Sequence, residues 1–146
     1  MNSRFLILAI VLTVTMSAAG ARGAETVWSG LVMAENVAQP AAIPPELSPL
    51  EQSLKTLFGY NQFQIIGQST KTLTSGQEDW AAWSRYFSLQ VDARGHGKAG
   101  YILSLRLYKE KELLLESEAK LSKRSPLLIK GPQVGSGQLL LVLVVE

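Results

Sequence analysis

From Asn61 to Leu121 the chain alternates apolar and polar positions with a period of two. Phe63, Ile65 and Leu73 share one parity, with Gln62, Gln64 and Gln68 on the other. Phe87, Leu89 and Val91 then alternate with Ser88, Gln90 and Asp92, and Tyr101, Leu103, Leu105 and Leu107 with Ser104 and Arg106. Leu113, Leu115, Ala119 and Leu121 alternate in turn with Glu116, Glu118 and Lys120. Successive side chains of a strand point to opposite faces, so each segment reads as a strand with one buried and one wet face. Ser75–Asp79, Arg94–Lys98 and Lys109–Glu112 read as the turns between them, and the whole as an antiparallel meander. Ile66 and Gly67 disturb the alternation and mark a bulge. Trp80–Arg85 fits either period.

Two further patterns complete the predicted elements. Leu139–Val145 is uninterrupted hydrocarbon, expected as an interior strand. Gln138 and Glu146 flank it as polar gatekeepers against aggregation. Earlier, Ser48-Pro49-Leu50-Glu51 has the form of a capping box with proline at the first helical position. Leu50, Leu54 and Leu57 lie near one face, with Phe58 beside it, and Gly59 is the expected left-handed stop. A helix over Pro49–Phe58 should therefore pack on the sheet. The predicted fold is β-rich α+β. It is a mostly antiparallel curved sheet or small sandwich of six to seven strands with one short helix. Its core is Leu54, Leu57, Phe63, Ile65, Phe87, Leu89, Val91, Leu103, Leu105, Leu115, Ile129, Leu141 and Leu143.

Residues before the helix read as a leader and a tether. Arg4 supplies a positive charge, Phe5–Met16 an apolar stretch, and Ala19-Gly20-Ala21 a small-residue cleavage pattern, so residues 1–21 are expected to be a secretory signal peptide. Cleavage after Ala24 is the second choice, and an uncleaved anchor the alternative. The apolar stretch is short for a bilayer span, and no later stretch is long enough, so no span is expected after cleavage. Residues 22–46 form an N-terminal segment. In it Thr26–Glu35 is a candidate short edge strand, and Val37–Leu50, with four prolines, an extended linker. Residues 47–146 make the single β-rich domain.

Composition narrows the function classes. The chain of 146 residues has a net charge of +2 and no cysteine. Apart from Lys120, Lys123 and Arg124 the basic residues are scattered, so no nucleic-acid footprint is expected. Without cysteine the fold must hold by its core in a periplasmic or secreted setting.

Candidate chemistry is sparse, and no catalytic set, metal site or cofactor is expected. The glycine turn Gly131–Gly137 lacks the Lys-Ser/Thr and following helix of a phosphate loop, and reads as a hairpin. His96, the only histidine, sits between two glycines and reads as an exposed loop residue. Glu116 and Glu118 share a strand face with Lys120 and read as solvated, as do Glu78 and Asp79. The candidate binding residues are Trp80, Trp83 and Tyr86. On a helical turn all three align, whereas on a strand Trp80 and Tyr86 share a face. Near Arg85 they could stack on a sugar or cover a partner.

The pattern Leu50…Leu57-Phe58-Gly59-Tyr60, Phe63-x-Ile65, Thr70-x-Thr72-Leu73 and Phe87-x-Leu89-x-Val91, closing with PLLIKGP and GSGQLLLVLVV, resembles a group of small exported bacterial proteins. Their shared form is a signal peptide, one helix, and strands ending in a GPxxGxG hairpin. The resemblance covers residues 50–146 and implies an envelope or secreted location with no known activity. In its helix-then-strands order the chain is also similar to periplasmic domains of secretion-channel subunits, a fold-level analogy only. The expected function is a non-enzymatic interaction module of the cell envelope, accessory to a membrane or secretion assembly, with an envelope protein as partner. The alternative is a glycan or small-molecule binding module using the aromatic cluster.

Overall fold

A computed structural model describes residues 25–75, 77–97, 100–123 and 125–146. The signal segment with its two cleavage positions, Gly76, Lys98 and Arg124 lie outside them. Among the described residues eight antiparallel strands form two four-stranded sheets, with one short helical segment. The strands are β1 (Glu25–Glu35), β2 (Gln62–Leu73), β3 (Asp79–Trp83), β4 (Phe87–Gly97), β5 (Gly100–Lys109), β6 (Glu112–Leu121), β7 (Leu127–Val134) and β8 (Gly137–Val145). The first sheet has the order β2-β1-β8-β7 and the second is the meander β3-β4-β5-β6.

The closing apolar run owes its lack of alternation to burial on both sides. Leu139, Leu141, Leu143 and Val145 face the second sheet in a core shared with Leu89, Val91, Leu103, Leu105 and Leu107. Leu140 and Val142 point the other way, into a second core with Leu47 and Leu54 of the helical segment. The molecule is thus three layers, helix on sheet on sheet. A strand covered on both faces reads as continuous hydrocarbon.

The same reason corrects the expectation for β1. It is not a short edge strand but an eleven-residue interior one, paired with β2 on one side and β8 on the other. Val27, Leu31 and Met33 join the inter-sheet core, while Trp28, Val32 and Ala34 join the helix side. Residues 25–35 therefore belong to the body of the domain.

The helix begins differently from its sequence signature. Pro45–Leu50 is a 3₁₀ segment, and the α-helix, α1, spans Glu51–Phe58 with no side-chain cap. Ser48 therefore lies inside the helical segment rather than at its cap. Gly59 does end the helix in the left-handed conformation, its N–H donating to the Lys55 carbonyl. Leu50, Leu54 and Phe58, four residues apart, form the inward stripe. Leu57 falls off that stripe and is 65% exposed, which removes it from the expected core. Ile65, Leu115 and Ile129 are only partly buried against the cores.

Register details match their local chemistry. Pairing shifts so that Ile66 is extra between Ile65 and Gly67, the bulge expected there. Gly67 is needed by contact, since a Cβ there would run into the Trp83 carbonyl of β3. The final hairpin turns at Gly135, whose φ of 61° is left-handed. Gly131 sits in a second irregularity within β7 rather than in the turn. Gln138, expected as an exposed flank, is buried and donates to the carbonyls of Gly131 and Leu139. β4 continues through His96, which pairs with Tyr101, so the loop expected at Arg94–Lys98 is mostly strand.

Candidate functional site

The outer face of the second sheet carries no covering element among the described residues. Its cross-strand rows follow from register. Asp79, Asp92, Ser104 and Glu118 make one row, Ala81, Gln90, Arg106 and Glu116 the next, and Trp83, Ser88, Tyr108 and Leu113 the third. Alternation sends the intervening Trp80, Ala82, Leu89, Val91, Leu105 and Leu107 into the core.

This arrangement divides the aromatic trio. Trp80 is 8% exposed, and its Nε1–H donates to Ser29 Oγ of β1 at 2.8 Å. Trp83, three residues on, lies on the opposite face and is 64% exposed. Tyr86 is 50% exposed in the connection to β4. Segment 79–83 is extended, so the helical alignment of the three does not arise. Trp80 is an anchor between the sheets, and the accessible candidates are Trp83 and Tyr86.

The turn that presents them is fixed by its backbone. Ser84 N–H donates to the Phe87 carbonyl at 2.8 Å, and Phe87 N–H donates to Ser84 Oγ at 2.9 Å. Glu110 N–H donates to the Tyr86 carbonyl at 2.8 Å, tying this turn to the next one along the same end. The Arg85 guanidinium carbon lies 5.3 Å from the centroid of the Tyr86 ring, a cation–π contact. Leu113, also exposed, ends the row that begins at Trp83.

Beside this aromatic end lies a depression of 420 Å³ lined by Asp79, Trp80, Ala81, Gln90, Val91, Asp92, Ser104 and Arg106. Asp79 and Asp92 are directly opposed across β3 and β4. Like charges at such a position destabilise a sheet. A hydrogen bond to Asp92 and the repulsion of its like charge push the Asp79 carboxyl above its ordinary value, with Lys71 pulling the other way. Arg94 Nε lies 3.5 Å from Asp92 Oδ2, and Arg106 Nε lies 3.7 Å from Glu116 Oε2. Just before β3, Glu78 Oε1 accepts from the N–H groups of Thr74 and Ser75, at 2.8 and 2.9 Å. Those two bonds hold its carboxyl down at about 2.

The face offers hydrogen-bonding groups of both kinds, with Gln90 and Arg106 exposed on it and Asp79 and Asp92 as acceptors. Asp79 and Asp92 stand directly opposite one another on adjacent strands, so their carboxylates interact. Neither aspartate is buried, so solvent screens both. Among the described residues no group of three or more His, Asp or Glu could hold a metal ion. Glu116 and Glu118 lie exposed on β6, one of them paired with Arg106. Among the described residues no helix is long and apolar enough to cross a membrane.

Sequence reasoning missed Gln90, Asp92, Ser104, Arg106 and Tyr108. Their outward parity was visible, but which of them share a row depends on register across three strand pairs. Comparison with family models, curated proteins and solved structures gives no match for this chain.

Proposed function

We propose that the protein is a non-enzymatic binding module that recognises a glycan on the outer face of its second sheet. The observation that carries this reading is the pairing of an exposed indole, Trp83, with a polar depression on the same open face. A pyranose ring has an apolar C–H face that packs flat on an indole, while its hydroxyls need donors and acceptors around it. Gln90 and Ser104 offer both, Asp79 and Asp92 accept, and Arg106 donates. The turn bonded through Ser84 and Glu110 holds the aromatics before any ligand arrives, which lowers the ordering cost of binding. A secretory leader at residues 1–21 would deliver such a module to the envelope, where glycans are abundant.

A second reading is the docking of an envelope protein, accessory to a larger assembly. Trp83, Arg85 and Tyr86 are the residue types that anchor protein interfaces, and here they cluster on one fixed turn.

A microarray of bacterial envelope glycans separates the two. We expect binding by the purified protein that falls about tenfold or more in Trp83→Ala, a change of about 1.4 kcal/mol. Absence of binding to every glycan would remove the first reading, as would a Trp83→Ala protein that binds unchanged. Crosslinking in cells from position 86 to one reproducible protein would then support the second.

A further inference from the structure

The glycan reading leaves open how much of a ligand the face accommodates, and the spacing of its features addresses this. Trp83 and Asp79 lie four residues apart on β3, about 13 Å along the strand. Trp83 and Tyr108 flank Ser88 in one row, two strand spacings or about 9.5 Å apart. The short Ser88 side chain thus leaves a notch between two aromatic rings. Ala81, next to it on the neighbouring strand, is equally short and lines the depression. The notch and the depression are therefore neighbours along the strands, with only the short Ala81 between Trp83 and Asp79 on the outer face of β3.

Rim charge also constrains the ligand. Along the depression the charges stand in opposed pairs, Asp92 with Arg94, Arg106 with Glu116, and Asp79 near Lys71, while the Arg85 guanidinium lies against Tyr86 at the aromatic end. The opposed aspartates at the far end of the depression would repel carboxylate or phosphate substituents. Gln90, midway along, presents an amide that can donate to one hydroxyl and accept from another.

Resting on the glycan reading, we infer that the ligand is a linear, uncharged oligosaccharide seated in two subsites, one sugar stacked at Trp83 over the Ser88 notch and a later one read by Gln90, Asp92 and Ser104 in the depression. A monosaccharide reaches only one subsite, so affinity rises with chain length until both are filled. Bound as one ligand, the two ends reinforce each other through a high effective concentration.

The test is calorimetric titration of the full-length protein with three series of β-1,4-linked oligosaccharides, built from glucose, N-acetylglucosamine and xylose, each from disaccharide to hexasaccharide. In at least one series the hexasaccharide should bind about tenfold or more tighter than the disaccharide. Gln90→Ala should reduce that gain to about twofold, and Trp83→Ala should weaken both lengths. Circular dichroism and thermal midpoints of both variants should match the wild type, since both side chains are on the surface. Equal affinity at all lengths, or a length gain that Gln90→Ala leaves intact, overturns the two-subsite arrangement and spares the glycan reading. No binding in any series overturns both.

Discussion

Trp80 and Trp83 sit three residues apart and have opposite consequences when changed. Trp80→Phe keeps an aromatic ring between the sheets but removes the N–H that donates to Ser29 Oγ. The expected loss is about 1 kcal/mol, with the Ser29 hydroxyl keeping only its donation to the Ser69 carbonyl. Trp83 is mostly exposed, and the stability of Trp83→Ala should stay within about 0.5 kcal/mol of wild type. Urea unfolding of the two variants checks both values. Neighbouring carboxyls provide a second pair of opposite signs. The carboxyl of Glu78 is lowered from 4.5 to about 2, so its contribution to stability is present above 4.5 and is lost as pH falls through about 2. Asp79 is raised above 3.8, so its ionisation costs the folded state once pH exceeds the raised value, and costs nothing below 3.8. Glu78→Gln should therefore melt below wild type at neutral pH, and Asp79→Asn above it. Both differences should shrink on acidification, as thermal midpoints measured across the acid range will show.

At the scale of elements, legibility in the sequence followed the number of covered faces. β4, β5 and β6 have one wet face, and their alternation announced both strand and facing. β1 and β8 have none, so periodicity located them poorly. β8 was recognisable by its unbroken run of Leu and Val, but Ser29 and Gly30 interrupt β1 and made it look like an edge. Ser29 is in fact the core acceptor for Trp80, a role that depends on a residue 51 positions away. The helix stripe shows a similar limit. Its start shifted because Pro45–Leu50 coils as a 3₁₀ segment, and Phe58 rather than Leu57 joins Leu50 and Leu54 on the inward stripe. Double coverage of β8 has a measurable consequence. Leu140→Ala and Leu141→Ala point to different cores, yet each should cost about 2–5 kcal/mol by chemical denaturation. Leu57→Ala, in contrast, should change stability by no more than about 0.5 kcal/mol.

At the scale of the whole molecule, three layers leave one broad sheet face without a cover among the described residues, and the candidate site is on it. The aromatic half of that site was visible in the sequence as Trp83 and Tyr86. The polar half was not, because Gln90, Asp92, Ser104 and Arg106 come together only through the register of β3, β4 and β5. Trp80 belonged to the aromatic group in sequence and left it in space, since an extended segment places residues 80 and 83 on opposite faces. The most direct measurement is an amide chemical-shift map of the ¹⁵N-labelled protein, titrated with the tightest-binding hexasaccharide of the calorimetric series. Shifts should concentrate at Trp83, Ser88, Gln90, Ser104 and Arg106, including the Trp83 indole N–H, while Trp80 and the helix α1 stay still. Shifts confined to α1 and the first sheet would contradict the assignment of the binding surface to the second.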